Sequence, residues 1–223
     1  MTKAEAAIER LSNIYKIPWR PSGNDFDILV LTVLSQNTND YNSSRAFGRL
    51  KEKVKSFDEL LALSDRELKT LIHPAGLYNI KAKRLRGLAR TMVEKYDGRL
   101  DPILAKPLEE AREELLSIEG IGPKTADVIL AFRKDAPVVP VDTHIFRVSK
   151  RLGIAKPKAT YEEVRSALEN ETPPEKRKVA HILLIQFGRK TCKARSPKCP
   201  TCPVYDLCDN PVFTVKNWEP PRL

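Results

Sequence analysis

The stretch IEGIGPK, residues 118–124, contains two glycines two positions apart, followed by a proline and a lysine. Gly120 and Gly122 permit the left-handed or close-approach backbone of a tight turn, and Pro123 suits the first turn of a helix. The stretch therefore predicts a hairpin between a helix that ends before Gly120 and a helix that begins at Pro123. The backbone amides of Gly120, Ile121 and Gly122 would then form a site for an anion, such as a DNA phosphate, at a helix start.

Lys124 follows Pro123, in the first turn of the predicted helix, where the helix dipole disfavours a cation. The dipole, neighbouring cations and partial burial would each lower the pKa of this lysine and raise its fraction of neutral amine. A neutral amine is a nucleophile. An equal alternative is that Lys124 binds a phosphate as an ordinary surface cation.

Asp142 directly precedes another helical pattern, in the stretch VDTHIFRVSKRLG. An aspartate in this position is an ordinary N-cap, which stabilises a helix by about 1 kcal/mol. The same placement would hold the carboxylate rigidly at the mouth of a cleft. Capping and catalysis are therefore compatible roles for Asp142.

The four cysteines of the chain have the spacing C-x6-C-x2-C-x5-C. They are Cys192, Cys199, Cys202 and Cys208. Two disulfides are one alternative, but we find no secretory signal, and a reducing cytosol disfavours disulfides. Four thiolates on short polar loops can converge on one metal centre, and both zinc and a four-iron cluster accept four cysteines. The spacing alone leaves the choice between these two open.

The loop between the first two cysteines, KARSPK, carries three cations, Lys193, Arg195 and Lys198. These are either solvated charges on a polar loop or the tip of a basic finger that contacts phosphates. Phosphate contacts position a nucleic acid without reading its sequence.

The overall charge favours a polyanionic partner. Lysine and arginine total 39 against 29 acidic residues, which gives a formal net charge of +10. Nucleic acid is the partner that such an excess favours. No apolar run approaches the ~20 residues of a membrane span, and the N-terminal stretch MTKAEAAIERL resembles neither a secretory signal nor a transit peptide. We therefore expect a cytoplasmic protein without a membrane partner.

Nearly every periodic segment has the helical period, which predicts an all-α fold. Residues 25–36 are apolar almost all round, as in a buried helix, and Ser64 and Thr160 each open a capping box. In the helix that follows GLYN, one apolar stripe is expected, with the cations, Lys81 among them, elsewhere on the helix. The members of that stripe are Ile80, Leu85, Leu88, Met92 and Tyr96.

Further helices are predicted over 108–117, 123–133, 143–152, 160–169 and 175–188. The prolines of KDAPVVPV, residues 134–141, interrupt helix and are expected to mark a crossing between two lobes.

Several stretches occur in the order typical of one family. LLSIEGIGPKTADVIL, VPVDTHIFRVSKRLGI and the four-cysteine segment resemble the helix-hairpin-helix DNA glycosylases, specifically their endonuclease III branch, and GLYNIKAKRL is also similar. The resemblance covers roughly residues 25–208. It implies two all-α lobes with DNA in the cleft between them. One is a six-helix barrel with the helix-hairpin-helix, residues 22–135; the other joins 1–21 to 136–223, with a cluster loop at about 188–209.

The resemblance also implies roles for individual residues. Lys124 would be the amine nucleophile and Asp142 its carboxylate partner, and the four cysteines would hold a [4Fe-4S] cluster. Gln36 matches the glutamine that fills the hole left by a flipped nucleotide, and Leu77 matches the apolar wedge inserted into the base stack. The alternatives are a surface polar role for Gln36 and a core position for Leu77.

The implied function is a bifunctional glycosylase that flips out a damaged base, removes it and nicks the strand. Oxidised pyrimidines are the first choice of substrate. Uracil or thymine opposite guanine is the second, because the stretch SQNTND departs from the branch's pattern. A non-catalytic DNA-structure binder and a redox protein are the competing hypotheses.

The expected partner is double-stranded DNA with a damaged base or an abasic site. A monomer associated with the nucleoid of a prokaryote would bind it. The tail, residues 209–223, has no motif that we can interpret.

Overall fold

The computed structural model describes residues 1–16 and 23–210. All regular structure in these ranges is helical, which confirms the predicted all-α fold. Most of the tail without a motif lies outside the described residues. In chain order the α-helices of the described ranges are α1 (Lys3–Ser12), α2 (Asp25–Ser35), α3 (Asp40–Lys51), α4 (Phe57–Ala62), α5 (Asp65–Ile72), α6 (Tyr78–Tyr96), α7 (Asp101–Leu104), α8 (Leu108–Ser117), α9 (Pro123–Arg133), α10 (Thr143–Leu152), α11 (Tyr161–Glu171) and α12 (Arg177–Lys190).

Helix starts follow the local sequence closely. Both predicted capping boxes are confirmed: the Ser64 side chain accepts the Glu67 amide, the Thr160 side chain accepts the Glu163 amide, and both glutamates return the bond. Asn24 caps α2 in the same way, through the Asp27 amide. Such caps satisfy amides that the first turn of a helix leaves without partners.

The chain divides into two compact units. The first consists of Met1–Arg20 and Ala131–Leu223 and contains α1, α10, α11 and α12. Its core is a single apolar cluster contributed by all four helices. Fully buried members include Leu11, Val148, Leu168 and Phe187. The predicted lobe boundary at residues 21 and 22 lies outside the described residues.

The second unit is Pro21–Leu130. Its central helix α2 is buried along most of its length, as the unbroken apolar pattern predicted, and it packs against α3 and α6. The 3-10 turn His73–Ala75 precedes α6 and contacts α3, α5 and α6. This turn and the C-terminal end of α2 therefore belong to one packed body.

The predicted apolar stripe of α6 is wrong at its first position. Ile80 is 52% exposed, whereas Lys81 is 1% exposed and lies with Leu85, Leu88 and Met92. The spacing explains this result, because residues 81, 85, 88 and 92 follow the i, i+4, i+7, i+11 pattern of one helix face. Lys81 therefore occupies a core position of α6.

Candidate functional site

The hairpin predicted from residues 118–124 joins α8 to α9, which begins at Pro123. Gly120 has φ +92°, and the space beside the Cα of Gly122 is open. The Ile121 side chain is buried and its amide donates to the Ile118 carbonyl at 3.0 Å, so Ile121 anchors the turn. The amides of Gly120 and Gly122 donate no backbone hydrogen bond within the described part of the chain. The prediction of three free amides is therefore wrong for Ile121, whose amide is used within the hairpin, and the Gly120 and Gly122 amides are the donors that an anion could use.

A buried ion pair, which no local sequence pattern indicates, holds the two helices of the hairpin together. Arg112 Nε of α8 donates to Asp127 Oδ1 of α9 at 2.7 Å. The Asp127 side chain is fully buried and that of Arg112 is 11% exposed. The pair fixes α9, and with it the first turn that carries Lys124.

Lys124 is the second residue of α9 and is half-buried. The structure thus places its amine directly after the hairpin, in the helical first turn that the sequence predicted. The role of Lys124 as a nucleophile stays a prediction.

Asp142 is the N-cap of α10. Its Oδ1 accepts the Ile145 amide at 2.8 Å, which confirms the predicted capping role, and the residue is half-buried. The two residues before Asp142 are also fixed. Nδ1 of the buried His181 lies 2.8 Å from the Pro140 carbonyl oxygen. The Val141 amide donates to the Tyr161 hydroxyl at 3.2 Å. The Asp142 carboxylate therefore has a rigid backbone on both sides.

Gln36 lies at the C-cap of α2 and is half-buried. Its Nε2 donates to the Gly120 carbonyl at 3.0 Å, and its Oε1 accepts from Arg84 Nη1 of α6 at 2.6 Å. Gln36 is therefore not an isolated surface residue: it contacts the hairpin and α6 at once. Arg84 was not among the predicted site residues.

Leu77 is exposed and not a core leucine. Its side chain is 52% exposed, equal to that of Ile80 one turn further along. The backbone at Leu77 has φ +47°, directly after Gly76 with φ +66°. A non-glycine residue rarely adopts this left-handed conformation, which costs about 1–2 kcal/mol and is found at functional sites. The structure thus presents an apolar side chain on a strained turn.

The four cysteines form no disulfide with one another and line one cavity. Burial raises the pKa of the Cys202 thiol to about 12 and also raises the pKa of Cys208. Holding these buried groups as thiolates requires a positively charged centre, which iron ions supply. The chemistry of this four-cysteine donor set therefore fits an iron-sulfur cluster.

Two arginines of α10 hold the cysteine segment in place. The Arg147 guanidinium donates to the carbonyls of Cys192 and Gly188 at 2.9 and 2.8 Å. Arg151 Nη1 donates to Cys192 Sγ at 3.4 Å and to the Lys193 carbonyl at 2.7 Å. The same helix that Asp142 caps thus supports the cysteine segment at its other end.

The three predicted phosphate-contacting cations of this segment are exposed: Lys193, Arg195 and Lys198. Their positive charge is accessible to a polyanion, and their contact with DNA stays a prediction.

Comparison with known families matches most of the chain. Residues 30–174 match the model of the HhH-GPD superfamily base excision DNA repair proteins. Residues 192–208 match the iron-sulfur binding domain of endonuclease III. No helix in the described ranges is both long enough and apolar enough to span a membrane.

Individual relatives agree with the family match. The chain is 38% identical over 185 residues to endonuclease III of Bacillus subtilis, covering 83% of this chain and 81% of that protein. It is 36% identical to endonuclease III of Thermotoga maritima, over 82% of each. Two solved structures, a trapped endonuclease III–DNA covalent intermediate with an estranged adenine and a non-covalent endonuclease III–DNA complex, superpose with a TM-score of 0.83. Both share 32% identity with this chain and cover 94% of it and 96% of their own chains.

Proposed function

Because the chain belongs to the HhH-GPD superfamily of base excision DNA repair proteins, and to its endonuclease III branch, we propose that it excises oxidised pyrimidines from duplex DNA. It is a DNA glycosylase with abasic-site lyase activity, and its cofactor is a [4Fe-4S] cluster. The observation that carries the proposal is the half-buried lysine at residue 124, which opens α9 directly after the hairpin. A relative that is 32% identical has been trapped as a covalent intermediate with DNA, which requires a nucleophile on the protein.

Lys124 is proposed to attack C1′ of the flipped nucleotide, forming a nitrogen–carbon bond while the glycosidic bond breaks and the base leaves with its electron pair. Asp142 stabilises the positive charge that develops on the sugar and assists the proton transfers. Ring opening gives an iminium, which withdraws electrons from C2′. Loss of a C2′ proton then expels the 3′ phosphate, so the strand is nicked and water releases the lysine.

Gln36 and Leu77 are proposed to occupy the duplex after the nucleotide leaves it. The half-exposed Leu77 side chain would insert into the base stack, as apolar wedges do in kinked DNA. The Gln36 amide retains one N–H and one lone pair beyond its contacts with Gly120 and Arg84, and these would meet the orphaned base.

Phosphate contacts are assigned to two surfaces. The hairpin amides of Gly120 and Gly122 would donate hydrogen bonds to a phosphate at the start of α9. Lys193, Arg195 and Lys198 would neutralise further phosphates, and the neighbouring cysteines would be the cluster ligands that stiffen this loop. Those ligands are Cys192, Cys199, Cys202 and Cys208.

The protein is proposed to act as a monomer. It is also proposed to associate with the prokaryotic nucleoid, because duplex DNA is its substrate. The test is incubation of the purified holoenzyme with duplexes that carry thymine glycol, uracil opposite guanine, thymine opposite guanine, or a preformed abasic site. Base release and strand nicking are scored separately. We expect release and nicking on thymine glycol and nicking at the abasic site. Base release from the two mismatched duplexes alone would reassign the substrate. Binding to the duplexes with no base release from any of them would overturn the proposal.

A further inference from the structure

Lys81 is a buried cation to which the proposed chemistry gives no role. It is 1% exposed and is among the largest fully buried side chains of the described chain. Burial, and secondarily the charge of Arg84, lowers the pKa of its ammonium. Removing an ammonium from water is unfavourable by several kcal/mol unless hydrogen bonds compensate for it. The contacts of this one nitrogen therefore identify what Lys81 does.

The Lys81 ammonium donates to two carbonyls from different parts of the chain. Nζ lies 2.8 Å from the Leu34 oxygen and 2.8 Å from the Ala75 oxygen. Leu34 is in the last turn of α2, whose final carbonyls have no amide partner within the helix. Ala75 is the last residue of the 3-10 turn His73–Ala75. One ammonium thus caps the C-terminal ends of two elements.

Each acceptor lies two residues before a side chain proposed to enter DNA. Leu34 precedes Gln36, and Ala75 precedes Leu77. The Lys81 backbone amide also donates to the Leu77 carbonyl at 2.9 Å, so backbone and side chain both fix the strained turn. The left-handed backbone of Gly76 and Leu77 persists only where its surroundings hold it.

We propose that Lys81 is a positioning residue that holds Gln36 and Leu77 at a fixed separation, so that both enter the duplex together. The inference rests on the proposed function of those two side chains. Lys81 touches neither DNA nor the reacting atoms. Its effect is confined to steps in which a hole in a duplex must be filled.

The test replaces Lys81 by methionine, whose side chain matches the apolar stem of lysine but lacks the terminal nitrogen and its donors. The matched control is Lys83→Met, which removes an exposed cation two residues further along α6. Both holoenzymes are compared with wild type in two assays at a temperature where all are folded. The first is single-turnover base excision from a thymine glycol duplex, and the second is borohydride trapping on single-stranded abasic DNA, which has no hole to fill.

We expect Lys81→Met to lower duplex excision by about 10- to 100-fold, the range for a misplaced positioning group. Trapping on single-stranded abasic DNA should change by less than about threefold, and Lys83→Met should leave excision near the wild-type rate. With 2-aminopurine opposite the lesion, the fluorescence change on binding should fall in Lys81→Met to the level of a Leu77→Ala variant.

Equal losses in the duplex and single-stranded assays, or no loss in either, would overturn the inference. If Lys81→Met does not fold, Lys81→Gln takes its place: the glutamine amide ends one atom short of the lysine nitrogen and cannot reach both the Leu34 and Ala75 carbonyls, so the same split between the two assays is expected and decides. Absence of excision by wild type would instead refute the proposed function, so the two failures are distinguishable.

Discussion

Truncation of Leu77 should separate stability from activity. Burying a whole leucine side chain contributes about 1.5–3 kcal/mol, and 52% of Leu77 is exposed. Insertion into DNA would bury roughly that half, worth about 1–1.5 kcal/mol, which corresponds to about a tenfold change in rate. The buried half contributes about the same to folding, but in Leu77→Gly the relief of the left-handed backbone offsets it by about 1 kcal/mol.

Leu77→Gly should therefore shift the melting temperature by less than about 3 °C, at roughly 2–4 °C per kcal/mol. Sub-saturating single-turnover excision should fall about tenfold. The matched control is Leu85→Ala in α6, the helix that Leu77 precedes; Leu85 is 1% exposed, and its truncation should destabilise the protein by about 2–5 kcal/mol. If Leu77→Gly destabilised the protein as much as the control, or left excision unchanged, Leu77 would not be the wedge.

Asp142→Asn keeps an equally good N-cap but removes the negative charge, so we expect an almost unchanged melting temperature and a loss of excision of at least about 100-fold. A loss of stability with full activity would show that Asp142 acts only as a helix cap. Arg84→Ala removes a charged hydrogen bond to Gln36, of about 1.5 kcal/mol, and should slow duplex excision about tenfold. Unchanged excision rates with either guanine or adenine opposite the lesion would show that Arg84 does not position Gln36. Lys193→Gln should reduce the slope of log binding constant against log salt concentration by about 0.9, the value for one phosphate contact, whereas an unchanged slope would place Lys193 away from the DNA backbone.

Features set by neighbours in sequence were predicted well. The capping boxes at Ser64 and Thr160 and the cap at Asp142 involve residues at most three positions apart, and the structure contains all of them. The hairpin followed from Gly120 and Pro123 for the same reason. Local backbone requirements leave a direct mark on residue type.

Features set by tertiary partners were not predicted. The helical pattern of α6 predicts that Lys81 lies off the apolar stripe, because the Leu34 and Ala75 carbonyls that accept its hydrogen bonds come from other elements. The same pattern predicts a core position for Ile80, because an apolar pattern does not show whether the first turn of the helix is covered by another element. The available signal for a buried Lys81 is its helical spacing from Leu85, Leu88 and Met92, which places all four residues on one face of α6.

The contacts around the cysteine segment were missed for a similar reason. Arg147 and Arg151 lie more than 40 residues before the carbonyls that they bind in that segment. Their sequence neighbourhood indicates only a basic helix end. The cofactor was inferred from family resemblance, since cysteine spacing alone fits zinc equally well.

The central claim is that the side-chain amine of Lys124 becomes covalently attached to the sugar. The most direct measurement is borohydride reduction of the holoenzyme with a thymine glycol duplex, followed by protease digestion and mass spectrometry of the DNA-linked peptide. The account predicts that the attached sugar maps to Lys124 and that Lys124→Ala forms no adduct. An adduct on another residue, or one that persists in Lys124→Ala, would contradict it.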